Sequence, residues 1–484
     1  MQNYNFKIKE GSFFESSLTF QTINSNQLND FYNWYDKRLK EGFFKIETIP
    51  FCALDKWSFT ENQSEIIHDS GKFFRIEGIR VKTNFGNIRE WDQPIINQPE
   101  IGILGIISKI INGTRCFLMQ VKMEPGNVNV LQLSPTLQAT KSNFTKVHKG
   151  KTPEYLDYFV DRSLSSVLID QLQTEQGARF LKKRNRNMVV EVKTEIEVKD
   201  DFKWLTLAEI KELLTHDNIV NMDARSVIST ISLIDEDIKI GLQELKLHER
   251  DSISINGRLI EGFGFELLKS ICETKNHYLS EEGLISWFTQ QKVEFELETV
   301  KILLSQLNKW EITDNNIFNS DRFFSVIAVR VSTGTREVAS WTQPLLYDKN
   351  IGLLGFIVKK LNGVLHFLVQ AKVEPGNIDI IELSPTVSCS NFEYVFYSGR
   401  KISFIEYFYP ENLKMVRFDT IQSEEGGRFH QMQNRNMIIE VDSNEIMIIP
   451  ENYRWMTLNQ IMDFMKFGMF NIEARSIISS LKFI

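Results

Sequence analysis

Two short segments of the chain carry the same three polar residue types at alternate positions. Residues 120–124 and 370–374 both read Gln-x-Lys-x-Glu, with apolar residues between the polar ones. Because the side chains of a β-strand point alternately to its two faces, each polar triplet lies on one face. An amphipathic surface strand is one explanation, but the recurrence of the same types favours a polar-lined cavity. Acidic and basic side chains on one face of a strand make Lys122, Glu124, Lys372 and Glu374 the first candidates for catalysis.

A basic segment is the second feature that could bind or transform a ligand. Residues 179–186 read Arg-Phe-Leu-Lys-Lys-Arg-Asn-Arg and hold five cations, whereas the related residues 428–435 hold two. In a chain with a net charge of −7, such a cluster favours a phosphate or diphosphate ligand, which Arg binds through paired hydrogen bonds. A solvated basic face is the alternative for Lys182 and Lys183. The acidic net charge argues against a general nucleic-acid surface.

A loop rich in hydroxyl and amide groups is the third feature. Residues 134–144 read Ser-Pro-Thr-Leu-Gln-Ala-Thr-Lys-Ser-Asn-Phe, and residues 384–392 repeat the pattern in a form shorter by two. The loop follows a predicted strand, where ligand-binding loops are common. His148 comes soon after it and has no counterpart in the second segment. A lone histidine is more often structural, but His148 is kept as a catalytic candidate.

These features recur because the chain is internally duplicated. Residues 101–136 and 351–386 are identical at 20 of 36 positions. The eight tryptophans also form four pairs, each separated by 250 to 253 residues: Trp34 and Trp287, Trp57 and Trp310, Trp91 and Trp341, Trp204 and Trp455. Self-similarity on this scale predicts two copies of one fold. We predict a first repeat with an N-terminal helical region at residues 1–230, a connector at 231–277 and a second repeat at 278–484.

The elements that position these residues are of mixed type. Residues 28–41 and 281–291 have aromatic residues at helical spacing, and the helical patterns that open at Thr206 and Thr457 begin with a capping residue. Between them lie β-branched and aromatic runs joined by Asn-Gly pairs at 112–113 and 362–363, which predict hairpin turns. The fold class is therefore α+β in each repeat.

Composition excludes several classes of protein. Hydrophobic residues make up 42% of the chain and charged residues 25%, as in ordinary globular proteins. No apolar run is long enough to span a bilayer, and residues 1–7 open no signal peptide. Cys52, Cys116, Cys272 and Cys389 are scattered, which indicates free thiols in a reducing compartment. We predict a cytoplasmic protein that binds neither membranes nor nucleic acid.

Motifs for metals and redox cofactors are absent from the sequence. It contains no His-Glu-x-x-His pattern or carboxylate cluster with metal spacing, no Gly-x-Gly-x-x-Gly after a strand and no P-loop. We therefore predict that the protein uses no metal and no cofactor.

Four motifs, all duplicated or nearly so, resemble those of the NDP-hexose 2,3-dehydratase family. They are Glu-Pro-Gly-Asn separated by five residues from Leu-Ser-Pro-Thr, Gln-Ala-Thr-Lys-Ser-Asn-Phe, Gln-Thr-Glu-Gln-Gly-Ala-Arg-Phe, and Arg-Asn-Arg-Asn-Met. The resemblance covers almost the whole chain. It implies tandem Nudix-hydrolase-like repeats, a homodimer, and two nucleotide-sugar pockets per chain, of which one is catalytic. The Glu-rich box that holds metal in Nudix hydrolases is missing here.

The family also implies a substrate and a reaction. The substrate would be dTDP-4-keto-6-deoxyglucose, and a downstream NADPH-dependent 3-ketoreductase would act on the product. The C4 ketone acidifies the C3 hydrogen, so a base can remove it and the C2 hydroxyl then leaves, giving a 3,4-diketo-2,6-dideoxy sugar without a redox cofactor. A non-catalytic nucleotide-sugar binding protein and a Nudix-type hydrolase are the alternatives.

The motifs also nominate the residues that bind the substrate. We expect the active pocket in the first repeat, on residues 140–144, Glu175 and Arg179, with Lys372 and Glu374 able to reach it from the second. The full set of expected substrate-binding residues is Trp57, Thr140, Lys141, Ser142, Asn143, Phe144, Gln173, Glu175, Gln176, Gly177, Arg179, Arg184, Trp310, Ser384, Thr386, Asn391, Glu424, Glu425, Gly426, Arg428 and Asn434.

Overall fold

The computed structural model describes most of the chain. It covers residues 3–4, 9–19, 28–140, 152–245, 247–320, 324–334, 338–398, 401–413 and 415–484. Five residues nominated above lie outside the described residues, and their roles stay predictions: Lys141, Ser142, Asn143, Phe144 and His148.

The described chain is a mixture of helices and strands, which confirms the α+β class. The helices are α1 (Phe13–Leu18), α2 (Asn29–Glu41), α3 (Asp157–Val160), α4 (Leu207–Leu213), α5 (Met222–Ser229), α6 (Glu236–Gln243), α7 (Gly262–Cys272), α8 (Glu281–Glu294), α9 (Phe392–Ser398), α10 (Leu458–Met465) and α11 (Ile472–Ile478). The strands up to residue 230 are β1 (Asn3–Tyr4), β2 (Phe44–Ile49), β3 (Trp57–Phe59), β4 (Glu65–His68), β5 (Arg75–Thr83), β6 (Glu90–Asn97), β7 (Gly102–Ile111), β8 (Thr114–Met123), β9 (Leu131–Ser134), β10 (Leu137–Ala139), β11 (Ser166–Thr174), β12 (Arg184–Glu191) and β13 (Phe202–Thr206). Those that follow are β14 (Ser252–Ile255), β15 (Arg258–Glu261), β16 (Leu297–Ile302), β17 (Glu311–Ile312), β18 (Asn316–Phe318), β19 (Ser325–Thr333), β20 (Ser340–Tyr347), β21 (Ile351–Leu361), β22 (Val364–Val373), β23 (Ile381–Ser384), β24 (Val387–Cys389), β25 (Val416–Ser423), β26 (Phe429–His430), β27 (Gln433–Val441) and β28 (Tyr453–Thr457).

Each half is built on a seven-stranded mixed sheet with the same topology. The order is β11-β12-β7-β8-β13 in the first half, with β10 beside β7 and β9 beside β8. In the second half β25, β27, β21, β22 and β28 take these places, with β24 and β23 in the positions of β10 and β9. The central pairs β12–β7 and β27–β21 are parallel, and the other pairs are antiparallel. We call residues up to 230 the first half and residues from 262 the second half.

Local signals in the sequence are confirmed where they specify short-range structure. Thr206 and Thr457 cap α4 and α10, and each forms a capping box with the residue three positions later. The Asn-Gly pairs join β7 to β8 and β21 to β22, and Asn112 has a φ of 50° and Gly113 a φ of 86°. A type I′ hairpin turn requires positive φ at both of its central residues.

Two of the four tryptophan pairs make equivalent hydrogen bonds. The Trp34 indole donates to the Asp200 carbonyl at 2.9 Å, and the Trp287 indole donates to the Glu451 carbonyl at 2.8 Å. Trp91 and Trp341 each donate to the glutamine two residues later at 2.8 Å. The sequence duplication is therefore also a structural one.

The structural repeat begins before residue 278. Ser16 in α1 accepts from the Leu207 backbone and donates to the Arg115 carbonyl, and Ser270 in α7 makes the same two bonds with Leu458 and Leu365. Helix α7 therefore takes the place in the second half that α1 takes in the first, inside the segment proposed as a connector.

The two halves exchange one edge strand each. β16 of the second half pairs with β5 of the first, with Leu297 opposite Thr83. β2 of the first half pairs with β19 of the second, with Phe44 opposite Thr333. Each smaller sheet thus obtains backbone hydrogen-bond partners from the other half, so neither half completes its sheets alone.

A pair of buried arginines joins the halves at their centre. Arg225 is 1% exposed and donates to the Ser476 hydroxyl at 2.9 Å and to the Ser423 carbonyl at 2.5 Å. Arg475 is fully buried and makes the reciprocal bonds, to the Ser226 hydroxyl and the Thr174 carbonyl. Each guanidinium thereby holds the end of a strand that belongs to the other half.

We expect Arg225→Met to destabilise the whole chain. Removing the guanidinium leaves buried carbonyl groups without a donor, and losing one member of a buried polar network typically costs about 3–5 kcal/mol. Urea unfolding would measure the loss. The matched control is Arg186→Met, which removes a half-exposed ion pair with Asp170 at 2.5 Å and should cost about 1 kcal/mol or less. Equal losses in the two variants would contradict the central role of Arg225.

Candidate active site

A cavity of about 890 Å³ lies where the two halves meet. Its walls come from the first-half sheet, from the β3–β4 region and from β20 with the loop after β25. The lining residues used below are Lys56, Trp57, Lys72, Phe73, Phe74, Gln98, Lys122, Glu124, Gln138, Thr140, Glu175, Lys183, Asn185, Asp223, Trp341, Glu425 and Arg428. We call this cavity the first-half site.

The Gln-x-Lys-x-Glu segment supplies the floor of this site. Lys122 and Glu124 line the cavity, while the apolar residues between them are buried on the opposite face, as the strand period predicts. The Lys122 ammonium lies 3.0 Å from a Glu124 carboxylate oxygen and donates to the Gln138 side chain at 2.8 Å. Gln138 in turn donates to the Asp223 carboxylate. Lys122 and Glu124 therefore line a cavity with polar walls, and their catalytic roles stay predictions.

The site is completed by a loop from the second half. The Gly126 amide donates to the Gly426 carbonyl at 2.7 Å, so the Glu-Pro-Gly turn of one half touches the Glu-Glu-Gly loop of the other. A Cβ at Gly426 would lie 3.0 Å from the Glu124 Cβ, and one at Gly126 would lie 1.6 Å from the Phe429 carbonyl oxygen. Only glycine permits this approach. It brings Glu425 and Arg428 into the first-half site.

Because the loop at residues 424–428 crosses from the second half into the first-half site, Arg428 lies there. The expectation that Arg179 shares a pocket with Thr140 and Glu175 is therefore wrong. The Arg428 guanidinium lies 4.2 Å from the centre of the Phe74 ring and donates to the Gln98 side chain at 3.0 Å. Arg179 instead lies 3.9 Å from the Phe324 ring of the second half. The two related arginines have changed places, because each loop crosses to the opposite half.

The basic segment does not form one phosphate-binding cluster, contrary to the prediction. Lys183 is buried and points into the first-half site, Arg186 pairs with Asp170 on the outer strand face, and Lys182 is exposed. Arg184 is half-buried on β12 and does not line the cavity. Lys182 and Lys183 precede β12, whereas Arg184 and Arg186 lie on it. Because side chains of an extended chain point alternately to opposite faces, the five cations do not gather on one surface.

Four carboxyl groups converge in the first-half site. Burial raises the pKa of Asp223, and the carboxylates of Glu425, Glu175 and Glu124 raise it further. Burial also raises the pKa of Glu425 to about 7, against the opposing effect of Arg428. The pKa of Glu175 is raised by burial too, while Asn185 donates to its carboxylate at 2.6 Å. Such crowding favours the neutral form of these carboxyl groups, and perturbed acids of this kind are common in catalytic sites.

A cation balances part of this charge. Burial lowers the pKa of Lys183 to about 8, although Glu175 opposes the shift, and its ammonium donates to the Glu100 carbonyl. Asp223 and Trp341 were not nominated from the sequence, and Lys183 was considered only as one cation of the basic segment. A signal existed for Asp223, because an acid followed by Ala-Arg-Ser recurs at 473–476.

The second half holds a related group of side chains, which we call the second-half site. The Lys372 ammonium lies 2.7 Å from the Glu374 carboxylate and donates to Ser388 at 3.0 Å. Gln176 donates to Glu424 at 3.2 Å. A Cβ at Gly177 would lie 3.0 Å from a Glu374 carboxylate oxygen, so this loop crosses in the same way.

Two positions in these sites carry different residue types in the two halves. Gln176 is the sequence counterpart of Glu425, and Met432 is the counterpart of Lys183. The first-half site therefore has one more acid on its crossing loop and one more cation beside it.

The remaining nominated residues divide between cavity and scaffold. Trp57 and Trp310 are both buried; Trp57 borders the first-half site, and Trp310 donates to the Asp92 carbonyl at 2.8 Å. Gln173, Ser384, Thr386, Asn391 and Asn434 lie outside the cavity lining. Among these, the Thr386 hydroxyl donates to the Leu368 carbonyl at 2.5 Å, Asn391 accepts from the Tyr394 amide at 2.9 Å, Gln173 donates to the Met465 carbonyl at 2.9 Å and Asn434 donates to Glu424.

Neither a metal-binding group nor a membrane span is found in the described part of the chain. No three His, Cys, Asp or Glu side chains there are arranged to hold a metal ion. No helix within the described ranges is long and apolar enough to cross a membrane.

The family model of NDP-hexose 2,3-dehydratases matches residues 28–231 and again residues 281–481. The chain belongs to this family. The two matches correspond to the two structural repeats, so each repeat by itself matches the family model.

Curated members of the NDP-hexose 2,3-dehydratase family align along nearly the whole chain. A dTDP-4-dehydro-6-deoxy-alpha-D-glucopyranose 2,3-dehydratase of Saccharopolyspora spinosa is 43% identical, over 93% of this chain and 90% of its own length. Proteins with the same name from Amycolatopsis orientalis and Streptomyces violaceoruber are 37% and 36% identical, again over 93% of this chain, and over 88% and 96% of their own lengths.

The crossing of the loops is testable in this dehydratase by adding one methyl group. Gly126→Ala should lower the free energy of unfolding by about 1–3 kcal/mol or more, because its Cβ would overlap the Phe429 carbonyl. Gly334→Ala is the control, since the nearest atom to its new Cβ is the Phe43 Cβ at 3.7 Å. Urea unfolding of both variants measures the difference. A Gly126→Ala protein as stable as wild type would show that the loops do not approach so closely.

Proposed function

We propose that this protein is a hydro-lyase that removes the C2 hydroxyl of dTDP-4-keto-6-deoxyglucose and yields the 3,4-diketo-2,6-dideoxy sugar nucleotide. The observation that carries the proposal is the Lys122–Glu124 pair on the floor of an interdomain cavity of about 890 Å³. Pockets of this volume suit ligands of nucleotide-sugar size. The names of the curated relatives support the same substrate.

Glu124 is the proposed base. The C4 ketone makes the C3 hydrogen acidic, and a carboxylate at this position removes it as a proton. The negative charge then moves to the C4 oxygen. Lys122, whose ammonium lies 3.0 Å from the Glu124 carboxylate, is placed to stabilise that oxyanion by a charge-assisted hydrogen bond.

The rest of the nucleotide is proposed to lie along the same cavity. Lys56, Lys72 and Arg428 line it and carry the positive charge that a diphosphate requires. The indoles of Trp57 and Trp341 offer aromatic surfaces on which a base or a sugar can pack.

Several expectations from the sequence belong to the same proposal. Each half is proposed to be Nudix-hydrolase-like, supported by the repeated mixed sheets and flanking helices. We propose a first repeat at residues 1–230, as the internal self-similarity predicts, and a second repeat that begins with α7 (Gly262–Cys272) rather than at residue 278. A homodimeric assembly follows from the resemblance, and a cytoplasmic location follows from the composition. Because the product is a reactive diketone, we propose that an NADPH-dependent 3-ketoreductase reduces it in the next step.

Incubation with dTDP-4-keto-6-deoxyglucose tests the function directly. Mass spectrometry should show loss of one water with the diphosphate intact. We expect the same rate with EDTA and with added Mg²⁺, because acid, base and oxyanion donor can all come from side chains. Release of dTMP in a metal-dependent manner would indicate a Nudix-type hydrolase, and tight binding without turnover would indicate a binding protein.

A paired substitution decides which half is catalytic. Glu124→Gln should lower kcat by about 10²–10⁴-fold, as loss of a general base does. Glu374→Gln should lower kcat by a smaller factor. Steady-state turnover measures both. The reverse ranking would place catalysis in the second-half site.

The arginine pair is expected to follow the crossed loops. Arg428→Ala, in the first-half site, should raise KM for the dTDP-sugar more than Arg179→Ala does. Initial-rate measurements over a range of substrate concentration compare the two. A larger effect of Arg179→Ala would contradict the composite first-half site.

A further inference from the structure

The internal duplication offers a natural comparison between the two crossing loops. Glu175 and Glu424 are counterparts, and each accepts a hydrogen bond from an asparagine of the next strand. One position later the loops differ, because Gln176 stands in one and Glu425 in the other. The scaffold is the same, so this position reports a chemical difference between the sites.

Glu425 lines the same cavity as Lys122 and Glu124, and the Glu124 carboxylate acts on it electrostatically. Its neighbour Gly426 abuts Glu124, at a distance of 3.0 Å between the Cβ that Gly426 would carry and the Glu124 Cβ. The Glu425 carboxylate accepts from the Gly427 amide at 2.9 Å, which orients it. The charged groups that act on it come from every surrounding element: Glu124 after β8, Glu175 after β11, Asp223 on α5, Lys183 before β12 and Arg428 on its own loop.

We propose that Glu425 is the acid that protonates the C2 hydroxyl as it leaves, so that the catalytic site takes its base from the first half and its acid from the second. This inference rests on the proposed dehydratase function and deepens it. The other site carries an amide at the matching position, which explains why one site per chain would be catalytic.

The proton balance closes between the two carboxyl groups. Glu124 takes the C3 proton, and the electron pair moves through C3 to the C4 oxygen. When the electron pair returns from the C4 oxygen, a double bond forms between C2 and C3 and the C2–O bond breaks. The proton of Glu425 joins the departing hydroxyl, which leaves as water. The remaining enol becomes the diketone when Glu124 returns its proton to C2 and the C3 hydroxyl gives its proton to Glu425. Both groups are then restored.

The surroundings of Glu425 suit this role. Burial raises its pKa to about 7, so a large fraction of the carboxyl is neutral near neutral pH. The Gln176 amide does not release a proton in this range, and so it can donate a hydrogen bond but cannot protonate a departing hydroxide. Asp223 does not explain the difference, because Glu473 is an acid at the matching place.

Glu425→Gln separates the two chemical steps. In deuterated water the variant should still exchange the C3 hydrogen at a rate within a few-fold of wild type, because Glu124 remains. Its dehydration rate should fall by about 10²–10⁴-fold. Glu124→Gln should lose both exchange and dehydration. NMR follows exchange, and mass spectrometry follows loss of water.

A substrate analogue with fluorine in place of the C2 hydroxyl provides the decisive rescue. Fluoride leaves without a proton, so Glu425→Gln should eliminate it at a rate close to that of wild type. Glu425→Asp, which keeps a shorter acid, should retain an intermediate rate with the natural substrate. A purely structural role for Glu425 predicts equal losses with both substrates and no C3 exchange, and that result would overturn the inference.

The pH dependence gives a further readout. Since the neutral form of Glu425 is required, wild-type kcat should fall as pH rises through about 7. With the fluoro analogue this alkaline decline should be absent, and its persistence would count against Glu425. The two levels of proposal remain distinguishable. A wild-type protein that neither exchanges C3 nor loses water refutes the dehydratase function, whereas an active wild type with an unrescued Glu425→Gln refutes only the role of Glu425.

Discussion

The close contact of two glycine-containing turns is the constraint on which the site depends. The Gly126 amide reaches the Gly426 carbonyl at 2.7 Å, and Gly376 reaches Gly177 at the same distance. A side chain at any of the four positions would meet neighbouring atoms at 3.0 Å or less. Because the turns pass so close, each half delivers its Arg-Phe loop to the neighbouring half. The exchanged strands and the reciprocal arginines hold the halves in the orientation that this contact needs.

The same constraint allows the two sites of the duplicated chain to differ in chemistry. Two equivalent sites arise from the symmetry, but each is assembled from both halves, so a change in one repeat alters the site of the other. Glu425 belongs to the second repeat and lines the first-half site, while Gln176 belongs to the first repeat and contacts Glu424. The sites can therefore diverge chemically without any change in the scaffold that supports them.

Sequence reasoning succeeded where the structure is local. The period of Gln-x-Lys-x-Glu placed Lys122 and Glu124 on one face, and the Thr206 cap was confirmed. These features depend on a few consecutive residues and on general propensities. The duplication was also readable, because it is a property of the sequence itself.

Sequence reasoning failed where the position of a side chain depends on the three-dimensional path of the chain. The basic segment looked like one cluster, but a turn and the strand period send Lys183 inward and Arg186 outward. Arg179 was assigned to the wrong half, because nothing in the local sequence of a loop reports which half it crosses to. Asp223 was missed for a related reason, since it reaches the site through Gln138 from a helix about 85 residues away in sequence.

The buried acids carry a cost in stability that depends on pH. Burial raises the folded-state pKa of Glu425 above its value in the unfolded chain, so ionisation favours unfolding. The stability associated with this group is complete below the unfolded pKa and is lost as pH rises through about 7. Hydrogen bonds from Gly427 to Glu425 and from Asn185 to Glu175 hold the carboxyls in place despite this cost.

Burial of an acid does not by itself distinguish the halves. Burial raises the pKa of both Glu382 and Glu473 in the second half to about 8. One difference lies on the crossing loop, where the second-half site carries the Gln176 amide and the first-half site carries the Glu425 carboxyl. A neutral amide has no charged form to desolvate, so it removes the cost while keeping the packing of the loop. A site that needs only to hold a ligand has no use for the acid, whereas a site that must break a C–O bond does.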